Sequence, residues 1–354
     1  MGPTVRNLEP GPVTGPRLFG GRDHRSAYSV RVPGQPQTYA IAVPIPFRGL
    51  TVRHGMVWSG TAGWAEWSPF LDYSGPELVS WLRAADEAAE QGWPDPVRSE
   101  VPVNSTIPAV GPEQAYTLAR SAGCRTAKVK VAQAGQSLTE DRARVAAVRD
   151  ALGADGRVRV DANGAWSVAE AESAVAALAR FGLEYVEQPC RTVADLATLR
   201  VRLARAGVDV PVAADESIRR ADDPFEVVRC AAADVAVLKV QPLGGVRAAL
   251  DIAERLGLPV VVSSALETSI GLRAGLALAA ALPELPYACG LNTSHLLAGD
   301  LIRDRLVAVD GVIRLRDVAP DPGALDRHRA DPATHAAWQV RLAETRARLA
   351  AGGR

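Results

Sequence analysis

Between residues 101 and 291 the chain repeats one rhythm of apolar and polar positions. Short apolar runs recur at VPVNSTI (101–107), AKVKVA (127–132), RVRVDA (157–162), YVEQP (185–189), PVAADE (211–216), VAVLKV (235–240), PVVVSS (259–264) and YACGL (287–291). Their starts lie 24 to 30 residues apart. Ala/Leu/Arg-rich stretches such as 113–121, 141–152, 168–180 and 245–256 separate them and read as helices. Eight short buried strands alternating with helices predict an α/β protein with a parallel (β/α)8-type barrel. A doubly wound sheet is the architectural rival, but it usually carries GxGxxG after its first strand. That motif is missing here.

Upstream, strand-like pieces at 39–45, 49–60 and 62–69 are divided by turn signals, and helical text runs from Pro76 to about Gln91. They predict a small α+β unit. Residues 1–37, rich in proline and glycine without periodicity, are expected to be a disordered leader, native or vector-derived. A strand-like piece at 311–318 and a helix from about Pro332 to Ala350 are expected to return to the small unit. The resulting plan is a leader (1–37), the first part of an α+β capping domain (38–100), a barrel (101–310) and a C-terminal segment rejoining the cap (311–354).

A barrel places its active site at the C-terminal ends of its strands. Five ionisable residues stand there on consecutive predicted strands: Lys130, Asp161, Glu187, Asp215 and Lys239. Apolar strands should not end in buried charges by accident, because an unpaired buried charge is costly. Three carboxylates on adjacent strands suit a hard octahedral Mg2+, with Mn2+ as an alternative, and two lysines flank them. Lys128 and Lys130 are two apart, so on a strand they share a face. A neighbouring cation lowers an amine's pKa toward the range of a general base. Lys130, nearer the strand end, is the candidate base and Lys128 its perturbing neighbour, unless Lys128 only forms a salt bridge.

Composition narrows the class. Forty basic residues balance forty acidic ones, which leaves no net field to hold nucleic acid or an anionic membrane. No apolar run reaches the length of a membrane span. Four scattered cysteines without a CxxC pair suit reduced thiols in a cytoplasmic enzyme rather than a disulfide scaffold or zinc ribbon. Of the 40 basic residues only Lys128, Lys130 and Lys239 are lysines, all in two apolar strands. Arginine supplies a permanent charge, whereas a buried lysine can release its proton. The five histidines match no ligand spacing and receive no role.

The motifs KVKV, DANGAW, VEQP, ADES, VLKVQPLGG and SSALETSIG, in this order and spacing, resemble the enolase superfamily. They are similar to its muconate-lactonizing-enzyme-like branch, which has KxK on the second strand and lysine on the sixth. The resemblance spans about residues 39–320. It implies a modified (β/α)7β barrel with an α+β cap, and a divalent metal held by Asp161, Glu187 and Asp215. Asn163 and Glu216 are then close neighbours rather than primary ligands. The wording of FRGLTVRHG, WAEWSPFLDYSGPE, NSTIPAVGPE and AKVKVA is similar to the actinobacterial type of o-succinylbenzoate synthase. Dipeptide epimerases carry DxD after the eighth strand, where this chain reads GLNTSHLL (290–297).

That family implies a small anionic substrate, proton abstraction α to its carboxylate by Lys130, and Lys239 opposite as a fixed cation or second acid/base. Arg48 in the cap, Asn104, Ser105 and Thr106 after the first barrel strand, and Ser263, Ser264 and Glu267 after the seventh are candidate substrate contacts. Polar loop capping is the alternative for each set. N-succinylamino acid racemase and muconate cycloisomerase chemistry stay open within the branch. Outside it stand a Schiff-base aldolase and a non-catalytic binding barrel. Oligomeric state is open.

Overall fold

A computed structural model of the chain describes residues 34–352. The expected leader lies outside the described residues except for its last four, and Gln37 already opens a strand. Strands β1 (Gln37–Phe47), β2 (Leu50–Ser59) and β3 (Trp64–Trp67) form an antiparallel sheet in that order. Helix α1 (Glu77–Glu90) buries Leu78, Trp81, Leu82 and Ala85. Trp81 meets Phe70 and Tyr73 edge-on, at 6.0 and 5.1 Å between ring centroids. Such offset contacts suit the aromatic quadrupole.

The alternating text that follows folds as the spacing predicts. The parallel strands are β4 (Glu100–Ile107), β5 (Thr126–Lys130), β6 (Arg157–Asp161), β7 (Leu183–Glu187), β8 (Val212–Ala214), β9 (Val235–Leu238), β10 (Val260–Val262) and β11 (Cys289–Asn292). Hydrogen bonding runs β10-β9-β8-β7-β6-β5-β4-β11. A single parallel bridge, Ser263 to Gly290, joins the two ends and closes the barrel. Gly290 has no room for a side chain, since a Cβ there would sit 2.6 Å from Ser263 Oγ. Seven strands are followed by helices and β11 by a single 3-10 turn, which is a (β/α)7β barrel under a cap.

Local chemistry explains the helix starts. Ser137 with Glu140 and Ser167 with Glu170 build capping boxes, and Thr192 and Thr268 cap the helices that follow them. β5, β7, β8, β9 and β10 each end two residues sooner than the apolar pattern suggested. Asp215 and Glu216 already turn into a short helix, and Lys239 caps another. Asn104, Ser105 and Thr106 lie within β4 rather than after it. The piece around 311–318 pairs with the barrel: β12 (Val312–Arg314) runs antiparallel to the start of β4. It is the later helix, Pro332–Gly352, that packs on the cap, with Trp338 edge-on to Trp67 at 5.5 Å.

Candidate functional site

Alternation along each strand sends one residue to the helices and the next into the barrel. Val129, Val160 and Val186 join the outer core, whereas Lys128 and Lys130, Asp161, and Glu187 point inward beside them. Lys128 Nζ donates to both oxygens of Glu187, at 2.7 and 2.8 Å, and stands 3.3 Å from Asp161 Oδ2. Lys130 Nζ donates to Asp161 Oδ2 and Asn163 Oδ1, each at 2.5 Å. Lys239 Nζ donates to Asp215 Oδ2 at 2.6 Å. Asn163 Nδ2 donates to Glu216 Oε1 at 3.2 Å.

Burial and pairing set the charges. Asp161, Glu187 and Asp215 are each no more than 1% exposed. Burial alone would raise Asp161, but Lys130 and Lys128 outweigh it and hold the carboxyl well below the usual range. Burial is likewise overcome at Asp215, by Arg219 and Lys239. Glu187 is pushed up to about 7, by burial and then by the charge of Asp161, despite Lys128. Burial opposes the charge of Lys128, yet Glu187 and Asp161 raise its pKa, so this amine is firmly protonated. Lys239 is lowered by burial, with Asp215 only partly offsetting it.

These groups open on a cavity between barrel and cap, lined by Phe47, Arg48, Phe70, Thr106, Lys128, Lys130, Asp161, Asn163, Lys239, Ser263, Ser264, Ala265, Leu266, Gly290 and Thr293. Arg48, Thr106, Ser263 and Ser264 therefore face the space where a substrate would sit. Asn104, Ser105 and Glu267 do not. Asn104 accepts from Arg159 deep in the barrel, Ser105 Oγ donates to Thr126 O, and Glu267 accepts from Ala265 N and Gln241 Nε2. A wider groove at the other end of the barrel contains Val201, Cys230 and Asp234, and its Arg200 pairs with Asp234.

Three polar residues at the site escaped the sequence reading. Arg219 donates to Asp215 Oδ1 at 2.8 Å and Glu216 Oε1 at 2.5 Å, and it also reaches the Tyr73 hydroxyl of the cap. Its offset of four from Asp215, one helical turn, was the available signal. Gln188 accepts from Asp215 N and Ser217 N and donates to Ser217 Oγ, fixing the backbone that carries Asp215. Arg53 of the cap reaches the loop after β10. Asn163, Gln188 and Leu266 all have positive φ (47°, 39° and 60°), backbone strain of the kind that collects at functional sites.

Among the described residues no three His, Cys, Asp or Glu side chains stand together as a ready ligand set. Each acid is turned onto a basic side chain instead. The donors nevertheless fit a hard divalent cation. Three buried carboxylates sit at the ends of neighbouring strands, their mutual repulsion helps push Glu187 up to about 7, and Glu216 Oε2 is buried without a partner.

Residues 38–89 match the family description "Enolase N-terminal domain-like", and residues 112–324 match "Enolase C-terminal domain-like". A protein of Thermobifida fusca (strain YX) named o-succinylbenzoate synthase is 60% identical over 311 residues, 88% of this chain and 96% of its own. One from Mycolicibacterium smegmatis with the same name is 53% identical over 291 residues, 81% and 88% of the two chains. Among solved structures, the muconate lactonizing enzyme from Pseudomonas Fluorescens complexed with muconolactone has a TM-score of 0.70 at 22% identity, covering 85% of this chain and 100% of that one. The L-Ala-D/L-Glu epimerase from Bacillus subtilis has 0.69 at 22%, covering 82% and 97%. At those identities the likeness is one of fold.

Proposed function

This chain belongs to the enolase superfamily, and from that membership we propose that its barrel mouth carries out the o-succinylbenzoate synthase reaction. The substrate is 2-succinyl-6-hydroxy-2,4-cyclohexadiene-1-carboxylate, and the product is 2-succinylbenzoate, a step of menaquinone biosynthesis in the cytoplasm. The 60% identity to the Thermobifida fusca protein over nearly its whole length supports the assignment. The observation that carries the chemistry is that Lys130, at the end of β5, and Lys239, just after β9, both open on one cavity roofed by the cap. Among the described residues no helix is long and apolar enough to cross a membrane.

Lys130 takes the proton α to the ring carboxylate, so that the C–H electron pair moves into the carboxylate system. The charge then returns to the ring as the C–O bond breaks, and the Lys130 ammonium protonates the departing hydroxyl on the same face. Water leaves and the ring becomes aromatic. Asp161 and Asn163 aim the Lys130 amine. Lys239, fixed by Asp215, faces the developing charge as a cation. Lys128 neutralises the carboxylate cluster from below. Asp161, Glu187 and Asp215 would hold a divalent cation, which we assign as Mg2+ with Mn2+ as a substitute. When bound, it supplies Lewis-acid stabilisation of negative charge on the substrate carboxylate.

The test is turnover of the cyclohexadiene substrate with Mg2+, run beside N-succinylamino acids. Dehydration lost on EDTA dialysis and restored by Mg2+ supports the reading. Racemisation without dehydration overturns it, and borohydride trapping of a keto substrate would replace it with imine chemistry.

A further inference from the structure

The loop after β10 forms one wall of the cavity through Ser263, Ser264, Ala265 and Leu266. Leu266 has a φ of 60°, a conformation that an L-residue with a side chain rarely adopts. One hold on this turn comes from the cap. Arg53, on β2, is 2% exposed. It donates Nε to Leu266 O at 2.9 Å and Nη2 to Ala265 O at 3.1 Å, while Nη1 reaches His54 O at 3.0 Å and Nη2 also meets Ser68 O. The other is internal to the loop, where Glu267 accepts from Ala265 N at 2.6 Å across Leu266.

The same guanidinium stacks on Phe70, with Arg53 Cζ 4.7 Å from the ring centroid, and Arg48 Cζ lies 4.6 Å from that centroid as well. Phe70 and Arg48 both line the cavity. One buried side chain thus touches the Ala265–Leu266 wall directly and the Arg48 wall through an aromatic ring.

We propose that Arg53 is a positioning residue that sets the substrate-facing shape of the cavity on two sides. It rests on the reading of this cavity as the reaction site, although Arg53 itself reaches no reacting atom. Only a planar fork of several fixed donors can serve carbonyls from both domains while sitting over a ring, which a single ammonium cannot do. The lysines and carboxylates stand on β5, β6 and β7 and in the turns that follow β8 and β9, outside its reach, so its loss should disturb substrate fit before it disturbs chemistry.

The experiment compares wild type with Arg53→Lys in two readouts: steady-state kinetics on the cyclohexadiene substrate, and amide hydrogen exchange of the substrate-free protein. The expected result is a KM raised about tenfold or more with kcat within about threefold, and faster exchange confined to residues 264–268. Unchanged KM and unchanged exchange at 264–268 overturn the proposal. So does faster exchange spread through the barrel strands with kcat falling in step, which would make Arg53 a general staple. If Arg53→Lys does not fold, Arg53→Gln carries the test with the same two readouts, because its amide keeps a donor for the loop carbonyls and loses the rest of the fork. The exchange readout uses no substrate. A wild type without dehydratase activity sinks the reaction assignment, while loosening confined to 264–268 still sustains the role of Arg53.

Discussion

The barrel interior holds charge at two levels, and the two levels are built differently. At the floor, Arg159 is fully buried and donates to Glu184, Asn104 and Ala288 O at 2.5, 3.1 and 2.7 Å. Its guanidinium lies 4.7 Å from the ring of Tyr185 and 5.7 Å from that of Tyr287. At the mouth, two residues further along the same strands, stand Asp161 and Glu187, met by lysines. One period of strand alternation separates Arg159 from Asp161, Tyr185 from Glu187 and Lys128 from Lys130. The floor uses a cation that cannot titrate, paired with the Glu184 carboxylate and lodged among neutral oxygens and aromatic faces. The mouth uses lysines, one of which, Lys239, is lowered by burial, around a carboxylate cluster whose Glu187 is displaced to about 7. Depth along the strand, rather than the presence of charge, separates scaffold from chemistry.

Substitutions at the mouth should cost the most. Asp161→Asn, Glu187→Gln and Asp215→Asn are each expected to abolish or cripple turnover with the fold largely intact. Full activity of all three in metal-free buffer would contradict the assignment. Lys130→Arg should lower kcat by about 10²–10⁴-fold, because arginine keeps the charge and loses the titratable amine. Lys239→Arg should retain more activity. Exchange of a substrate analogue's α-proton in deuterated solvent decides between them. If it survives Lys130→Arg and vanishes in Lys239→Arg, the two faces of the site are reversed.

At the floor the expected loss is in stability. Arg159→Met leaves Glu184 without its cation and should cost about 3–5 kcal/mol in urea unfolding, with kcat and KM of the folded fraction within about threefold. A large kcat loss without destabilisation would erase the distinction between the two levels.

Between floor and mouth in effect stands Glu267, which belongs to the seam with the cap. Burial first, and the negative charge of Glu66 second, push it up to about 7 from its ordinary 4.5. The folded chain therefore binds this proton more tightly than the unfolded chain, and the stability it lends below about pH 4.5 is lost as pH rises through 7. Glu267→Gln should be more stable than wild type at pH 8, by up to about 3 kcal/mol, and the advantage should vanish near pH 4.5. Thermal melts at the two pH values check it. The smallest effect is expected outside both levels. Ser137→Ala removes one half of a capping box and should cost about 1 kcal/mol with kinetics unchanged.

The sequence made the mouth legible because an isolated charge in a Val/Ala strand breaks a regular pattern. Asp161, Glu187 and Lys239 each end such a run. Arg159 broke the pattern as plainly in RVRVD, yet one arginine among 37 gave no hint of its depth in the barrel. Arg53 and Glu66 were hidden for another reason. Their partners are 213 and 202 residues away at Leu266 and Thr268, and a pattern read along the chain has no access to a contact across domains. The eight strands and their helices were legible from spacing alone. The early ends of β8 and β9 were not, because Asp215 and Lys239 belong to turns whose geometry is fixed by Gln188, Arg219 and the helices they start.

The cap is made from both ends of the described chain, and this orders events in time. Arg341, on the last helix, donates to Pro69 O, Phe70 O and Tyr73 O at 3.1, 2.8 and 2.8 Å, clasping the segment that carries the Phe70 ring. Phe70 and Arg341 are 271 residues apart. At ~5–20 residues per second, a ribosome makes the second about 14–54 s after the first. Throughout that interval every barrel strand is completed while the roof over its charged mouth still lacks a clasp. Every residue that lines the cavity is therefore made before the helix that clasps its roof.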